Sequence, residues 1–207
     1  YDQSGTNQAL RADTINTWGT GGVSVADIGT INGMVARQYT VQTSGGWSAV
    51  AAGFTVNAGD SYTFTTALKA VSGSATAHDL GLYSDQGEDW GWNEESYARI
   101  VSGPGTITQL RGGLWRVSGL SVSQETRVEI VRTYSKAGTG GAYMYVDNPG
   151  GFRAGQSLIL AGTLVSRTAG AQTVYKYDCL GRAAVKIGAA GVRTRYFYDN
   201  MGRKIAN

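Results

Sequence analysis

The sequence predicts an all-β protein built as an antiparallel β-sandwich, and three observations support this fold class. Glycine is abundant and proline scarce, with 31 and 2 of the 207 residues, which is typical of strands joined by many turns. Short segments of alternating polarity recur between turn residues, and no helical period is sustained. About ten such segments fill roughly 150 residues, which is the density of a two-sheet sandwich. Jelly roll is the preferred topology.

The predicted strands follow one another through the first three quarters of the chain. The clearest is 61–70, in which Tyr62, Phe64 and Leu68 belong to one face because side chains alternate along a strand. Turns rich in glycine separate most strands, and the glycine-rich segment 136–141 is predicted to be a flexible turn. The strands are predicted at 23–28, 35–41, 47–56, 61–70, 75–84, 97–101, 106–110, 114–122, 126–134, 142–147 and 157–165.

Two copies of an eight-residue motif lie near the end of the chain. Residues 175–182 and 196–203 share the pattern aromatic-x-Tyr-Asp-x-x-Gly-Arg, and the second copy begins 21 residues after the first. Such a period indicates a repeated unit, here a strand, a tight turn and a second strand. The aspartate is predicted to start the turn by hydrogen-bonding the backbone, and the glycine to end it. The motif positions are Tyr175, Tyr177, Asp178, Gly181 and Arg182, then Tyr196, Tyr198, Asp199, Gly202 and Arg203.

The two copies resemble the YD-repeat, or Rhs-type, family of large secreted and surface proteins. The chain also opens with Tyr-Asp-Gln-Ser-Gly-Thr, which is either a chance match or a partial repeat with threonine in the arginine place. The resemblance implies an extracellular or cell-surface location and pairing with neighbouring repeats or further copies of the chain. Because Tyr1 stands where a start methionine would and no apolar leader follows, a fragment or processed product is expected. The predicted domains are a partial repeat at 1–6, a sandwich at 7–165, a linker at 166–172 and two repeats at 173–207.

A second resemblance concerns the sandwich. Segment 113–120 resembles a strand of jelly-roll carbohydrate-binding modules and of similar domains in phage tail proteins, which carries Gly, Trp, Arg and Val in this order. Segment 143–148 resembles their closing strand, which commonly ends in aspartate. The resemblance implies the jelly-roll fold, and it implies that Asp147 is a ligand of a structural calcium ion.

The acidic segment 85–96 is the predicted ligand site. Exposed indole faces stack on the apolar faces of sugar rings, and carboxylates accept hydrogen bonds from hydroxyl groups, so this combination suits polysaccharide binding. Two alternatives stay open: an indole that folds back over the edge of the sandwich, and carboxylates that are merely solvated or bind calcium. The predicted glycan-binding residues are Trp90, Trp92, Asp85, Glu88, Asp89 and Glu94, with Glu95 as a fifth carboxylate.

Composition excludes several classes of function. The net charge is only +3, and the arginines are scattered, so no basic stripe for nucleic acid is present. His78 is the only histidine, and a lone histidine in a strand is predicted to be packed or hydrogen-bonded, which excludes a multi-histidine metal site and a histidine-based nucleophilic triad. A single cysteine, Cys179, excludes an internal disulfide. No apolar run approaches the length of a membrane span. The sheet and core aromatics are predicted to be Trp18, Trp47, Trp115, Tyr39, Tyr62, Tyr143 and Tyr145.

Three functions follow from these observations. The first is a non-catalytic extracellular module, carried on a YD-repeat protein, that binds a polysaccharide or cell-surface glycan. The second is a structural subunit of a fibre or shell that self-associates through open β-edges, since repeats need neighbours to bury their faces. The third is a glycan-active enzyme that uses paired carboxylates.

Overall fold

The structure, a computed structural model, confirms the all-β prediction over residues 8–11, 19–45, 48–84, 96–148, 151–168, 174–177, 180, 182–187, 193–199, 201 and 203–206. Within these residues no helix is long and apolar enough to cross a membrane. The chain divides into two units, Asn7–Thr168 and a second made of Tyr1–Thr6 with Ala169–Asn207. The strands of the first unit are β1 (Gln8–Arg11), β2 (Gly19–Gly21), β3 (Val23–Ile31), β4 (Met34–Val41), β5 (Ala49–Val56), β6 (Ser61–Ala70), β7 (His78–Ser84), β8 (Ser96–Ser102), β9 (Thr106–Arg111), β10 (Leu114–Ser118), β11 (Thr126–Thr133), β12 (Gly138–Tyr145) and β13 (Ser157–Thr168).

Two antiparallel sheets form the first unit. The first sheet has the order β3-β4-β13-β6-β11-β8, with β1 paired to β13, and the second has the order β2-β5-β12-β7-β10-β9. From β4 to β8 each strand lies in the opposite sheet from the one before it, and the same holds from β10 to β13. This crossing pattern is that of a jelly-roll sandwich, so the predicted topology is confirmed.

The core lies between the two sheets and is built by strict alternation. In β11, Val128 and Ile130 are buried while the residues between them are only half-buried. Arg132 continues this inward set, and its guanidinium lies 4.5 Å from the centre of the Tyr134 ring and donates to the carbonyl of Leu82. The largest buried apolar side chains are Tyr39, Tyr62, Tyr134, Phe64, Leu68, Leu80, Leu82, Ile130, Met144, Leu158 and Leu160.

The predicted turn at 136–141 is wrong for most of its length. β12 begins at Gly138 and pairs with β5 from Gly138 onward. Gly140 is needed for close packing rather than for flexibility. A Cβ at this position would lie 2.6 Å from a methyl group of Val56. The predicted strand at 142–147 is therefore the second half of a longer strand that ends at Tyr145, and residues 146 and 147 lie in the following turn.

Other boundaries also differ from the prediction: β7 begins at His78 rather than at 75, and β10 ends at Ser118 rather than at 122. The linker predicted at 166–172 starts later, since β13 continues to Thr168 and its end pairs with β6. There Arg167 forms an ion pair with Asp60 at 2.6 Å, which ties the end of the strand to the sandwich. The strand that ends just before Asp147 is not the closing strand, because β12 lies between β5 and β7 and β13 follows it.

The second unit contains the hairpins that the repeats predict. β14 (Val174–Tyr177) pairs with β15 (Ala183–Ile187), which pairs with β16 (Arg193–Arg195), and β17 (Phe197–Tyr198) pairs with β18 (Lys204–Ala206). In the second copy, Oδ1 of Asp199 accepts the backbone N–H groups of Met201 at 2.9 Å and Arg203 at 2.8 Å. This confirms the predicted role of the aspartate. The motif residues Asp178, Gly181 and Gly202, and the side chains of Tyr175 and Tyr177, lie outside the described part of the chain.

The sequence does not predict the partner of the motif arginine. Nε of Arg203 donates to Oδ2 of Asp199 at 2.7 Å, so the arginine closes the turn that the aspartate starts. These hydrogen bonds, first those from Arg203, hold the pKa of Asp199 below its ordinary value. The pair explains why both residue types occur at this spacing in the motif.

Candidate functional site

The outer face of the second sheet carries the candidate site. In β12 the side chains of Ala142 and Met144 belong to the core, so Tyr143 and Tyr145 lie on the outer face. In β7 the same alternation places Tyr83 outside. Three tyrosines from two neighbouring strands therefore share one face of the sheet.

These tyrosines form a row that a phenylalanine extends. The ring centres of Tyr83 and Tyr143 lie 5.8 Å apart with the rings nearly perpendicular, and those of Tyr143 and Tyr145 lie 6.4 Å apart with the rings nearly parallel. The ring of Phe152 follows at 6.3 Å from that of Tyr145. All four side chains are half-buried. Each ring therefore keeps part of its surface open to solvent while its neighbours hold it in place.

Small residues surround the row. Tyr143 lies between Ala51 of β5 and Gly81 of β7 in the register of the sheet. Glycine is required at position 81, since a Cβ there would overlap the carbonyl oxygen of Gly113, and a Cβ on Gly141 would lie 2.8 Å from the Tyr143 ring. The residues beside the rings are therefore small, and the rings themselves stay half-buried.

An ion pair lies on the same face, one strand away. Asp79 of β7 is opposite Arg116 of β10, and the guanidinium donates through Nε and one terminal nitrogen to the two carboxylate oxygens at 2.7 and 3.0 Å. Asp79 is only 2% exposed, and its hydrogen bonds raise the pKa of Arg116. A guanidinium has five N–H donors, so the pair fixes its plane and leaves donors for a ligand.

The face thus combines a row of aromatic rings with a fixed planar donor group. Rings offer apolar faces to C–H groups, and the guanidinium offers N–H groups to hydroxyl or carbonyl oxygens. The arrangement suits a flat, polyhydroxylated ligand. It does not suit a metal ion, and among the residues that the structure describes no group of three or more His, Cys, Asp or Glu side chains lies together.

The acidic segment stays a prediction. Trp90, Trp92, Asp85, Glu88, Asp89, Glu94 and Glu95 all lie outside the described residues. The segment leaves β7 after Ser84, one residue beyond Tyr83, and β8 begins at Ser96. Its first residues therefore follow directly on a strand that contributes to the row.

His78 is packed and hydrogen-bonded, as predicted. Its Nδ1 accepts the backbone N–H of Asp147 at 3.0 Å, so Nε2 carries the proton and donates to the carbonyl of Ala75 at 3.2 Å. Burial lowers the pKa of His78 to about 4. The ring is therefore a neutral connector between two segments of backbone.

Asp147 was implied as a calcium ligand, and its surroundings do not fit that ion. It is buried at 5% exposure with φ of 53°, and burial raises its pKa while the charge of Arg153 opposes that rise. Calcium prefers six to eight oxygen ligands that include several carboxylates. Among the residues that the structure describes, the pocket beside Asp147 adds no second carboxylate and instead adds the cationic Arg153.

Of the other aromatic residues predicted to lie in the sheets or the core, three are core residues and two lie outside the described part of the chain. Trp115 lies in the core, and its indole N–H donates to Oγ of Ser96 at 3.2 Å. Tyr39 and Tyr62 are also core residues, while Trp18 and Trp47 lie outside the described residues. The residues of the candidate site that the sequence does not single out as ligand-binding are Tyr83, Tyr143, Tyr145, Phe152, Asp79 and Arg116.

The chain resembles known proteins in structure but not in sequence. No family model and no curated protein matches the chain. It is similar to the CBM22-1 xylan-binding domain of Xyn10C from Paenibacillus barcinonensis, with a TM-score of 0.47, 14% identity, and coverage of 79% of this chain and 97% of the other. It is also similar to the family 11 carbohydrate-binding module from Clostridium thermocellum (TM-score 0.39, 15% identity, 79% and 95% covered) and to tailspike protein 4 of bacteriophage CBA120 (TM-score 0.45, 11% identity, 74% and 20% covered).

Proposed function

We propose that the sandwich is a non-catalytic, extracellular module that binds a polysaccharide or cell-surface glycan on the outer face of its second sheet. One observation carries the proposal: the row of Tyr83, Tyr143, Tyr145 and Phe152 beside the pair of Asp79 and Arg116. Sugar rings stack on such a row through their C–H faces, and their hydroxyl oxygens accept from the guanidinium. The extracellular location is supported by the resemblance of the repeats to YD-repeat proteins.

The same face argues against catalysis. Hydrolysis of a glycosidic bond needs two carboxylates, one of them protonated and the other free to act as nucleophile or base. On the described part of the outer face the carboxylate is that of Asp79, and both of its oxygens accept from Arg116. This carboxylate holds a side chain in place and has no oxygen left for a reaction.

Truncation of the central tyrosines tests the proposal. The measurement is retardation of the full chain in native gels that contain one of several soluble polysaccharides, xylan and mixed-linked β-1,3-1,4-glucan included. Tyr143→Ala and Tyr145→Ala should each weaken binding about tenfold, because buried aromatic anchors dominate recognition. Tyr97→Ala is the matched control, since Tyr97 is 52% exposed on β8 of the other sheet. The proposal fails if no polysaccharide retards the wild type, or if all three variants bind equally well.

The same gels test whether the acidic segment belongs to the proposed site. Trp90→Ala and Trp92→Ala belong in the same gels, because the segment starts where the tyrosine row ends. A loss of binding comparable with that of Tyr143→Ala assigns these indoles to the ligand. Unchanged binding assigns the ligand to the sheet face alone and leaves the main proposal intact.

A second candidate function, self-association through the repeats, is supported by an independent observation. The guanidinium of Arg182, in the first copy, lies 4.6 Å from the ring centre of Tyr198 in the second, so successive copies contact each other. In the last hairpin Phe197, Met201 and Ile205 are 53%, 77% and 65% exposed. A two-stranded hairpin with exposed apolar side chains is marginal alone, and a further copy of the chain would cover it.

The mass of the chain in solution tests this second candidate. Light scattering across a range of concentrations should show species heavier than the monomer. Ile205→Ser should shift the population toward the monomer, whereas Val122→Ser, at a 53% exposed position of the first unit, should not. A wild-type chain that stays monomeric at every concentration would exclude assembly by this surface.

A further inference from the structure

A pocket of about 410 Å³ lies beside the turn between β6 and β7. The lower end of the size range of ligand sites is about 300 Å³, so this pocket has room for a small ligand or one unit of a larger one. None of its lining residues belongs to the tyrosine row. They are Gly73, Ser74, Ala75, Thr76, Ala77, Asp147, Arg153 and Gln156.

Asp147 is the unusual member of this lining. Its side-chain Oδ2 is buried and has no hydrogen-bond partner among the described residues. A buried acceptor without a donor destabilises the fold, and Asp147 is held in the left-handed region with φ of 53°. Buried acceptors left open in this way call for a donor from a ligand or water.

The walls of the pocket are fixed to one another. His78 bridges the backbone N–H of Asp147 and the carbonyl of Ala75. The N–H of Ala75 in turn donates to Oε1 of Gln156 at 2.8 Å, and Oγ of Ser74 accepts the N–H of Ser157 at 2.8 Å. Three chain segments therefore meet in one rigid frame, and rigid support of this kind characterises preformed sites.

The charges of the pocket indicate an uncharged ligand. Asp147 supplies a carboxylate acceptor and Arg153 a guanidinium donor, and the two charges cancel. Donor and acceptor groups side by side suit hydroxyl groups, each of which both accepts and donates. Chain continuity links the pocket to the tyrosine row, because Arg153 follows Phe152, whose ring packs 6.3 Å from that of Tyr145.

We propose that this pocket binds the terminal sugar unit of a glycan whose following units lie along the tyrosine row. A chain end differs from an internal unit by one additional free hydroxyl group, or by an anomeric hydroxyl, and Asp147 with Arg153 recognises that group. The inference rests on the proposed function and deepens it, since it makes the site selective for chain ends.

Hexasaccharides with blocked ends test the inference. The probes are xylohexaose, cellohexaose and laminarihexaose, each used unmodified, with its reducing end reduced to the alditol, and with its non-reducing terminal hydroxyl methylated. Calorimetric titration of the full wild-type chain should show that one of the two end modifications weakens binding about tenfold, which is the value of one hydrogen bond to a charged group. The modification that weakens binding identifies the end that enters the pocket.

Two variants remove the recognising groups. Asp147→Asn keeps the shape of the side chain and tolerates the left-handed backbone, and Arg153→Gln alters an exposed position, where a substitution is expected to change stability little. Each should bind the unmodified hexasaccharide about tenfold more weakly and no longer distinguish the blocked forms. Tyr143→Ala should weaken all three forms equally.

Each outcome separates the inference from the function on which it rests. Variants of the pocket that bind every form as tightly as the wild type, while Tyr143→Ala does not, overturn the chain-end pocket and leave glycan binding in place. A wild type that binds no probe and no polysaccharide overturns both. A rise in Tm with calcium that Asp147→Asn abolishes assigns the pocket to a metal ion and likewise overturns the inference.

Discussion

Acidification should destabilise the sandwich through His78. The imidazole has a pKa of about 4 in the folded chain and 6.5 without burial, so between these pH values the unfolded chain binds a proton that the folded chain does not. Stability is therefore full above pH 6.5 and falls as the pH drops toward 4. At about 1.4 kcal/mol for each tenfold change, the loss reaches roughly 3 kcal/mol at pH 4. Burial raises the pKa of Asp147. Its protonation in the folded chain therefore offsets part of this loss of stability as the pH falls.

Urea unfolding between pH 7 and pH 4 measures the effect. Tryptophan fluorescence reports the sandwich, because all five tryptophans lie between residues 18 and 115. The control is His78→Gln, which keeps a side chain that hydrogen-bonds but cannot be protonated in this range. It should be less stable at pH 7 and lose less stability on acidification than the wild type. If wild type and His78→Gln lost the same free energy of unfolding between pH 7 and pH 4, His78 would not be the buried neutral group that makes the sandwich sensitive to acid.

Three further predictions concern packing and the repeat turn. Leu82→Ala should lower the free energy of unfolding by about 3 kcal/mol, because Leu82 is fully buried between the sheets; urea unfolding measures it. Gly81→Ala should also destabilise, since its Cβ would overlap the carbonyl of Gly113, and an unchanged Tm would contradict the close approach of β7 to that turn. Asp199→Ala should speed hydrogen exchange at the amides of Met201 and Arg203, which lose their acceptor, while the Tm of the sandwich stays unchanged.

The strands that the sequence predicts well have a polar and an apolar face. β6 runs over 61–70 as predicted, because its threonines alternate with Tyr62, Phe64 and Leu68. The start of β12 could not be predicted in this way. Gly138, Gly140 and Gly141 have no side chain to show an alternation, so their composition resembles that of a turn, and only the packing of Val56 against Gly140 shows why glycine is needed there.

The repeat hairpins were predictable because local chemistry specifies them. Asp199 and Arg203 are four residues apart, and the hydrogen bonds that form the turn all lie within that span. The candidate site has the opposite character. Asp79 and Arg116 are brought together by the pairing of β7 with β10, and no spacing in the sequence indicates that these two strands are neighbours.

A comparison of Tyr62 with Tyr143 shows how the sequence indicates which side of a strand faces outward. The residues on either side of Tyr62 are Ser61 and Thr63, which are polar, so the pattern assigns the tyrosine to the core, where it lies. The residues that alternate with Tyr143 are Ala142 and Met144, which are apolar as well. A strand of a two-layer sandwich has only one face against the other sheet. One of its two apolar sets must therefore lie outside, and tyrosine is the better choice because its hydroxyl stays hydrated. The pattern of β12 thus indicates which of its two apolar sets lies outside, and that outer set is the one on which the proposed glycan site rests.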